Sequence, residues 1–182
     1  MTFLTPKYFA RPTLEVAEDL LGCVIRRGPV SLRIVETEGY LPEDSACHAW
    51  RGRTARNAPM WGPPGQLYVY LCYGIHTLLN FVTEPEGRAA AVLIRGAEVT
   101  QGEEQVRERR GGRLDCLGPG KVGQALALDR SWSGRSLSGE LTVHRGLRPA
   151  EIKRSPRVGI GYASPEAIAA PWRFQAVSGW KG

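Results

Sequence analysis

Lysine is rare in this chain. Of its 24 basic residues only Lys7, Lys121, Lys153 and Lys181 carry an amine, and the others are all arginines. Schiff-base chemistry therefore has few candidate nucleophiles, and Lys121 alone of the four lies in a motif. Cysteine is also sparse. Cys23, Cys47, Cys72 and Cys116 form no CxxC pair and show no His/Cys spacing of a zinc site, so no metal is expected. They read as free, mostly buried thiols in a reducing compartment. No apolar run reaches the length of a membrane span, and "MTFLTPKYFA" lacks the basic segment and apolar stretch of a secretory signal. A cytoplasmic protein with no membrane partner is the expectation. No GxSxG elbow is present, and Cys47 and His48 are neighbours without an evident third partner, which argues against covalent serine or cysteine catalysis. No internal repeat or low-complexity linker divides the sequence, so residues 1–182 are expected to form a single domain.

What is present begins with charge and core. The chain is 42% hydrophobic, enough for a sizeable interior, and its formal net charge is +6. An arginine-rich basic surface suits phosphate, because the guanidinium is a planar, bidentate donor. Residues 13–22, "TLEVAEDLLG", read as a short helix with Thr13 as N-cap and Gly22 as its stop. "CVIRR" and "SLRIVETEGY" read as two strands joined at Gly28-Pro29. In the second strand, alternation places Ile34 on one face with Glu36, Glu38 and Tyr40, and Val35 and Thr37 on the other. Residues 41–65 read as a long ordered loop with room for a helix at Ser45 to Trp50. "QLYVYLCYGIHTLLNFVT" reads as a hairpin and "AAVLIRGAEV" as a buried strand. Gln101 to Arg113 is highly charged, partly helical and expected to be mobile, and "GPGKVGQALALD" is a glycine turn opening a helix. Strands and helices do not alternate regularly, which predicts an α+β domain rather than a doubly wound sheet.

Three constellations carry candidate chemistry. Glu36 and Glu38 share a strand face; the pair fits a solvated edge, or two carboxylates placed for acid/base work on a glycosidic bond. Tyr40, His48, Tyr68, Tyr70 and Tyr73 add stacking surfaces nearby in sequence. Tyr68 and Tyr70 alternate as in ordinary sheet packing, whereas Tyr73 abuts Gly74 at the expected hairpin tip, where an exposed aromatic could wedge between bases. "LGPGKVG" is not a Walker A loop, since Val122 follows Lys121. Its glycine turn offers backbone N–H groups and a lysine to a phosphate, or is a plain helix start.

Together these stretches resemble a known family. "VETEGYLPEDSACHAWRGRTARN", "GQLYVYLCYGIHTLLNFV", "AAVLIRGAEV", "GPGKVGQALALD" and "PRVGIGYASPEAIAAPWRF" are similar, in order, to the alkyladenine (3-methyladenine) DNA glycosylases. The resemblance implies a compact α+β domain with a central curved antiparallel sheet, flanking helices and long loops, and a protruding hairpin. It implies a monofunctional enzyme, monomeric and without cofactor, obligate protein partner or lyase step. Such an enzyme cuts the N-glycosidic bond of damaged purines in double-stranded DNA.

Residue by residue, the resemblance implies that Glu38 activates the attacking water with Arg95 beside it. Tyr40, His48 and Tyr70 would sandwich the extruded base, and Asn80 would stand at the pocket wall. Tyr73 would fill the gap in the duplex, with Arg53, Arg56 and Lys121 contacting phosphates. Two departures carry expectations of their own. Gly39 stands where many relatives have alanine, which implies a looser Tyr40, and the long 83–88 loop implies a displaced Arg95. Two rivals remain at this stage: a non-catalytic recogniser of damaged or distorted DNA, and a glycoside hydrolase using the carboxylate pair.

Overall fold

The computed structural model describes residues 2–181. The chain begins with two short helices, α1 (Pro6–Phe9) and α2 (Thr13–Asp19), followed by β1 (Val24–Arg27) and β2 (Val30–Tyr40). The hairpin strands β3 (Leu67–Cys72) and β4 (His76–Val82) come next, then β5 (Ala91–Gln101), α3 (Glu103–Arg109), β6 (Cys116–Leu117) and α4 (Pro119–Ala125). The chain closes with β7 (Thr142–His144), β8 (Arg148–Ser155), α5 (Pro165–Ala169) and β9 (Arg173–Lys181). All strand pairings are antiparallel, in the order β3-β4-β5-β2-β1-β7, with β6 on β5 and β9 pairing both β2 and β8. The result is a curled α+β fold in which strands dominate and the helices are short.

One face of the sheet forms the main core. Leu32, Ile34, Leu67, Val69, Leu79, Phe81, Val92 and Ile94 pack there against Val16, Ala17 and Leu20 of the α2 region and against Val122, Ala125 and Leu126 of the α4 region. The opposite face, between β3 and β2, is left for a cavity. A strand with one face on the core and one on a cavity must keep strict alternation, and β2 does so only after a correction.

That correction lies at a pair of compensating bulges. Ile34 pairs with Ala97 and Thr37 with Ile94, but Glu36 pairs with Gly96, so Val35 on β2 and Arg95 on β5 are each one residue out of step. The extra residue reverses side-chain parity. Ile34 therefore does not share the face of Glu36, Glu38 and Tyr40, as simple alternation predicted; it lies in the core. Thr37 now points to that same core side, where its hydroxyl donates to the Ala17 carbonyl (2.7 Å). The bulges turn both carboxylates and Arg95 toward the cavity side.

Three further expectations change. Thr13 is the first residue of α2 rather than its cap. Its N–H and hydroxyl both donate to Glu84 Oε1 (3.3 and 2.6 Å), so a carboxylate distant in sequence satisfies the helix start. Residues 45–50 form turns, not a helix; Asp44 Oδ1 accepts from Ala46 N (3.0 Å), and the helical turn comes later, as a 3-10 segment at Ala58–Trp61. Residues 101–113 are docked rather than loose: Val106 is buried, Arg109 donates to the Ala125 carbonyl (2.7 Å) and Arg110 to Gln124 (3.0 Å). The strands on either side of Gly28-Pro29 and the β3–β4 hairpin form as expected.

Candidate active site

Side chains from four adjacent strands stand in one row. Tyr68 pairs with Asn80, Asn80 with Leu93, and Leu93 with Glu38, so all four project on the same face. The neighbouring positions Tyr70, Leu78, Ala91 and Tyr40 continue that face. All of these but Glu38, together with His48, Arg95, Val158 and Tyr162, line a cavity of about 730 Å3, a size typical of small-molecule sites.

Glu38 lies beneath this cavity and is 0% exposed. Both of its oxygens are held. Oε2 accepts from the Tyr40 hydroxyl (2.8 Å) and Oε1 from the Val158 amide (2.9 Å). Arg95 Nε lies 3.5 Å from Glu38 Oε1 and 3.0 Å from Glu36 Oε1, bridging the two carboxylates. Burial pushes the Glu38 carboxyl above its ordinary value; Arg95, the Val158 amide and the Tyr40 hydroxyl pull it back, and Glu36 adds to the rise. Burial, then the neighbouring Glu38 carboxylate, raise the Tyr40 phenol far above its usual range.

The two glutamates are not equivalent. Glu36 receives Arg173 Nε at 2.6 Å as well as Arg95, so it acts as a counter-ion between two arginines. Neither glutamate is on a solvated edge, because β2 is paired on one side with β5 and on the other with β9 at residues 36–38.

The facing wall is aromatic. His48 Nδ1 lies 2.8 Å from the Tyr68 hydroxyl, and its ring meets Tyr70 edge-on at 4.6 Å between centroids. Tyr68 and Tyr70 rings are 5.3 Å apart and inclined by 32°. Burial, helped by Arg56, lowers the His48 pKa, so the imidazole is neutral near pH 7. Burial raises the Tyr68 phenol to about 12. Asn80 is buried on the row and donates to the Tyr68 carbonyl (3.0 Å).

Arg95, Tyr40, His48, Tyr70 and Asn80 thus line one cavity, and Glu38 is bound to that lining through Tyr40, Val158 and Arg95. Tyr73 stands at the hairpin tip, 88% exposed, with φ +50 followed by Gly74 at +74, both central residues of the turn being left-handed. Arg56 lines the cavity and lies over the Tyr70 ring (5.4 Å), and Lys121 lines it too, ion-paired with Asp115. Arg53 is not among the lining residues; its guanidinium lies 5.9 Å from the Trp61 ring. Gly39 does not loosen Tyr40. Its N–H donates to the Trp172 carbonyl (2.9 Å), and a Cβ there would meet Leu14 at 2.6 Å on the α2 side. The 83–88 loop packs back on the N-terminal helices, Glu84 N donating to the Phe9 carbonyl (3.0 Å), and Arg95 stays within ion-pair reach of both carboxylates.

Three supports were not foreseen. Asn57 is buried in the loop over the cavity; its Nδ2 donates to the His48 and Gly52 carbonyls (2.8 and 3.0 Å) and its Oδ1 accepts from Thr54 N (2.6 Å). The Val158 amide reaches Glu38 from a distant loop, and Arg157 beside it pairs with Asp44. An asparagine three residues after a threonine was the only local signal for the first. Nothing local marks the other two.

A buried carboxylate beside an aromatic cavity on a basic protein can receive a planar, base-like group. Comparison with known proteins makes the class specific. The model of the family described as Methylpurine-DNA glycosylase (MPG) matches residues 7–178. A Nitrosococcus oceani protein, provisionally assigned as a 3-methyladenine DNA glycosylase, is 53% identical over 94% of this chain and 88% of its own length. The Arabidopsis thaliana DNA-3-methyladenine glycosylase is 48% identical over 96% of this chain and 71% of its own. The chain belongs to the methylpurine-DNA glycosylase family, and so to the DNA glycosylases, which are hydrolases.

Proposed function

We propose that this protein extrudes a damaged purine from duplex DNA into the cavity and hydrolyses its N-glycosidic bond with a water activated by Glu38. The observation that carries the proposal is the placement of Glu38: fully buried, fixed by Tyr40 and Val158, beneath a cavity walled by Tyr40 on one side and by His48 and Tyr70 on the other. A base in the duplex hides its glycosidic bond, so it must be extruded at a cost of a few kcal/mol. Tyr73, projecting from the tip, fills the gap and offsets part of that cost. Stacking on the aromatic walls, worth roughly 1–3 kcal/mol per base contact, holds the extruded purine. Arg56 and Lys121 meet backbone phosphates at the rim.

In the chemical step the water oxygen bonds to the sugar C1′ and its proton passes to the Glu38 carboxylate. The C1′–N bond breaks and its electron pair stays on the purine, which alkylation has already made a better leaving group. Glu38 also opposes the positive charge that develops on the sugar. Purine and abasic site are the products, with no lyase step, in keeping with the scarcity of lysine and the absence of one beside Glu38 among the described residues.

The test uses a duplex carrying one 7-methylguanine or hypoxanthine, with alkali to reveal abasic sites. Wild type is expected to yield cleaved strand and Glu38→Gln to lose activity by about 100- to 10,000-fold. Undiminished release by Glu38→Gln would refute the role of Glu38, and tight binding without base release by the wild type would mark a recogniser instead of an enzyme.

A further inference from the structure

We infer that Arg157 is a positioning residue for base excision, one buried guanidinium that sets the geometry of Glu38, Tyr40 and the His48 loop together. The inference rests on the reading that Glu38 activates water.

The Arg157 side chain is 0% exposed, as is that of Asp44, its ion-pair partner. Nη2 donates to Asp44 Oδ1 (3.0 Å) and to the Ala167 carbonyl (3.1 Å); Nη1 donates to Asp44 Oδ2 and to the Gly39 carbonyl (2.9 Å). The guanidinium lies between two rings, 4.7 Å from the Tyr40 centroid and 4.9 Å from that of Trp172. Arg157 is absent from the cavity lining while Tyr40 belongs to it, so the cation backs the face of Tyr40 turned away from the cavity.

Each of these contacts leads to the site. Gly39 lies between Glu38 and Tyr40 in the chain, so fixing its carbonyl fixes the strand that carries both. Tyr40 in turn donates to Glu38 Oε2. Asp44 organises the turn that leads to His48, accepting from Ala46 N at its side chain (3.0 Å) and from Cys47 N at its carbonyl (2.9 Å). Val158, the next residue after Arg157, supplies the amide to Glu38 Oε1. Two stretches of chain far apart in sequence, 39–44 and 157–167, are thereby joined at one planar fork.

Fold stability alone is a poor reason for this arrangement. A buried ion pair gains little over well-packed apolar residues of the same volume, because both ions must be desolvated. Arg157 Nε is also buried without a partner, which costs stability further. What the fork supplies is direction: five donors in a fixed plane, two of them matched to a carboxylate. The fork reaches Glu38 through the Gly39 carbonyl and the Tyr40 ring, and its charge also favours the ionised form of the Tyr40 phenol against burial.

The test compares wild type with Arg157→Lys, which keeps the charge opposite Asp44 and loses the fork. The double variant Asp44→Leu/Arg157→Met, which removes both charges, covers the case in which the lysine variant fails to fold. Melting temperature, affinity for a duplex with one hypoxanthine, and the single-turnover excision rate are measured on each. In folded protein the rate is expected to fall about 10- to 100-fold, as for a small misplacement of reacting groups, while duplex affinity stays within about threefold. A purely structural role predicts lowered melting with an unchanged single-turnover rate, and that result overturns the inference. Full rate in either variant beside an inactive Glu38→Gln overturns this inference alone, whereas full rate in Glu38→Gln overturns the underlying reading as well.

Discussion

The ground beneath the cavity and the tip of the β3–β4 hairpin are built on opposite plans. At Glu38 both carboxylate oxygens are held: each accepts one hydrogen bond, an arginine bridges it to Glu36, and a second arginine binds Glu36. At the tip, Tyr73 and Ile75 are 88% and 73% exposed, on a turn with a non-glycine residue at φ +50. Groups that act on a reacting bond gain from being fixed before substrate arrives. A side chain with the role proposed for Tyr73, entering a gap in DNA, must instead be exposed beforehand, since its partners would exist only in the complex. The tip is still held from below. Gly120 packs on His76 and Gly123 on the Thr77 carbonyl, so close that a Cβ at 123 would meet that oxygen at 2.0 Å. The "GPGKVG" stretch is thus a close-packing surface for the hairpin, beyond either of the readings its spacing suggested.

The contrast can be broken first at the carboxylates. Arg95→Gln removes the bridging cation and leaves Glu36 and Glu38 as neighbouring anions, so excision at neutral pH should fall by about 100-fold. The pH profile carries the sign. Burial already holds Glu38 above the ordinary 4.5, so wild-type activity should be lost, as pH falls, above that value, because the base works only when ionised. Removing a cation disfavours the charged form further, so in Arg95→Gln the acidic limb should move to still higher pH. A limb that stays in place would mean that Glu38 is not the titrating base.

Tyr73→Ala breaks the other half. Excision from duplex should drop by about tenfold, while release of the same base from a single strand should be unchanged, since no gap needs filling. Equal losses on both substrates would place Tyr73 in the chemistry instead. A smaller effect is expected from Gly123→Ala, which forces α4 away from β4. Thermal melting should report a loss of about 1–3 kcal/mol, and the ratio of duplex to single-strand excision should fall, because the tip loses its support. The smallest effect is expected from Asn57→Ala, which frees the His48 loop: roughly threefold weaker binding to a lesion-bearing duplex, with the single-turnover rate at saturation little altered.

Local features of the chain were legible because they depend on neighbours in sequence. Alternation places Tyr68 and Tyr70 on one strand face, and Tyr73-Gly74 marks the turn, since a hairpin's register is set by its own tip. The residues singled out by the family pattern lie close together: Tyr40, His48, Tyr70 and Asn80 line one cavity, and Glu38 is bonded to Tyr40. Features that depend on distant partners were not legible. Thr13 looked like a cap because threonine caps well, but Glu84 reaches it from across the fold. Residues 45–50 left room for a helix within a long loop, but Asp44 is engaged by Arg157 and by the Ala46 amide, which favours turns.

By itself, then, the sequence determined the strands, the hairpin with its aromatic tip, the basic arginine surface and the family, all of which rest on short-range periodicity or on motifs kept in order. Tertiary structure alone decided how the two glutamates are held, Glu36 between two arginines and Glu38 by the Tyr40 hydroxyl and the Val158 amide. The register of β2 against β5 slips by one residue at Glu36 and returns. Such a slip is a property of two strands pairing, not of either strand's residues. It also decided that Arg157 and Asp44 meet, because desolvating two charges is tolerable only where each finds the other with good geometry.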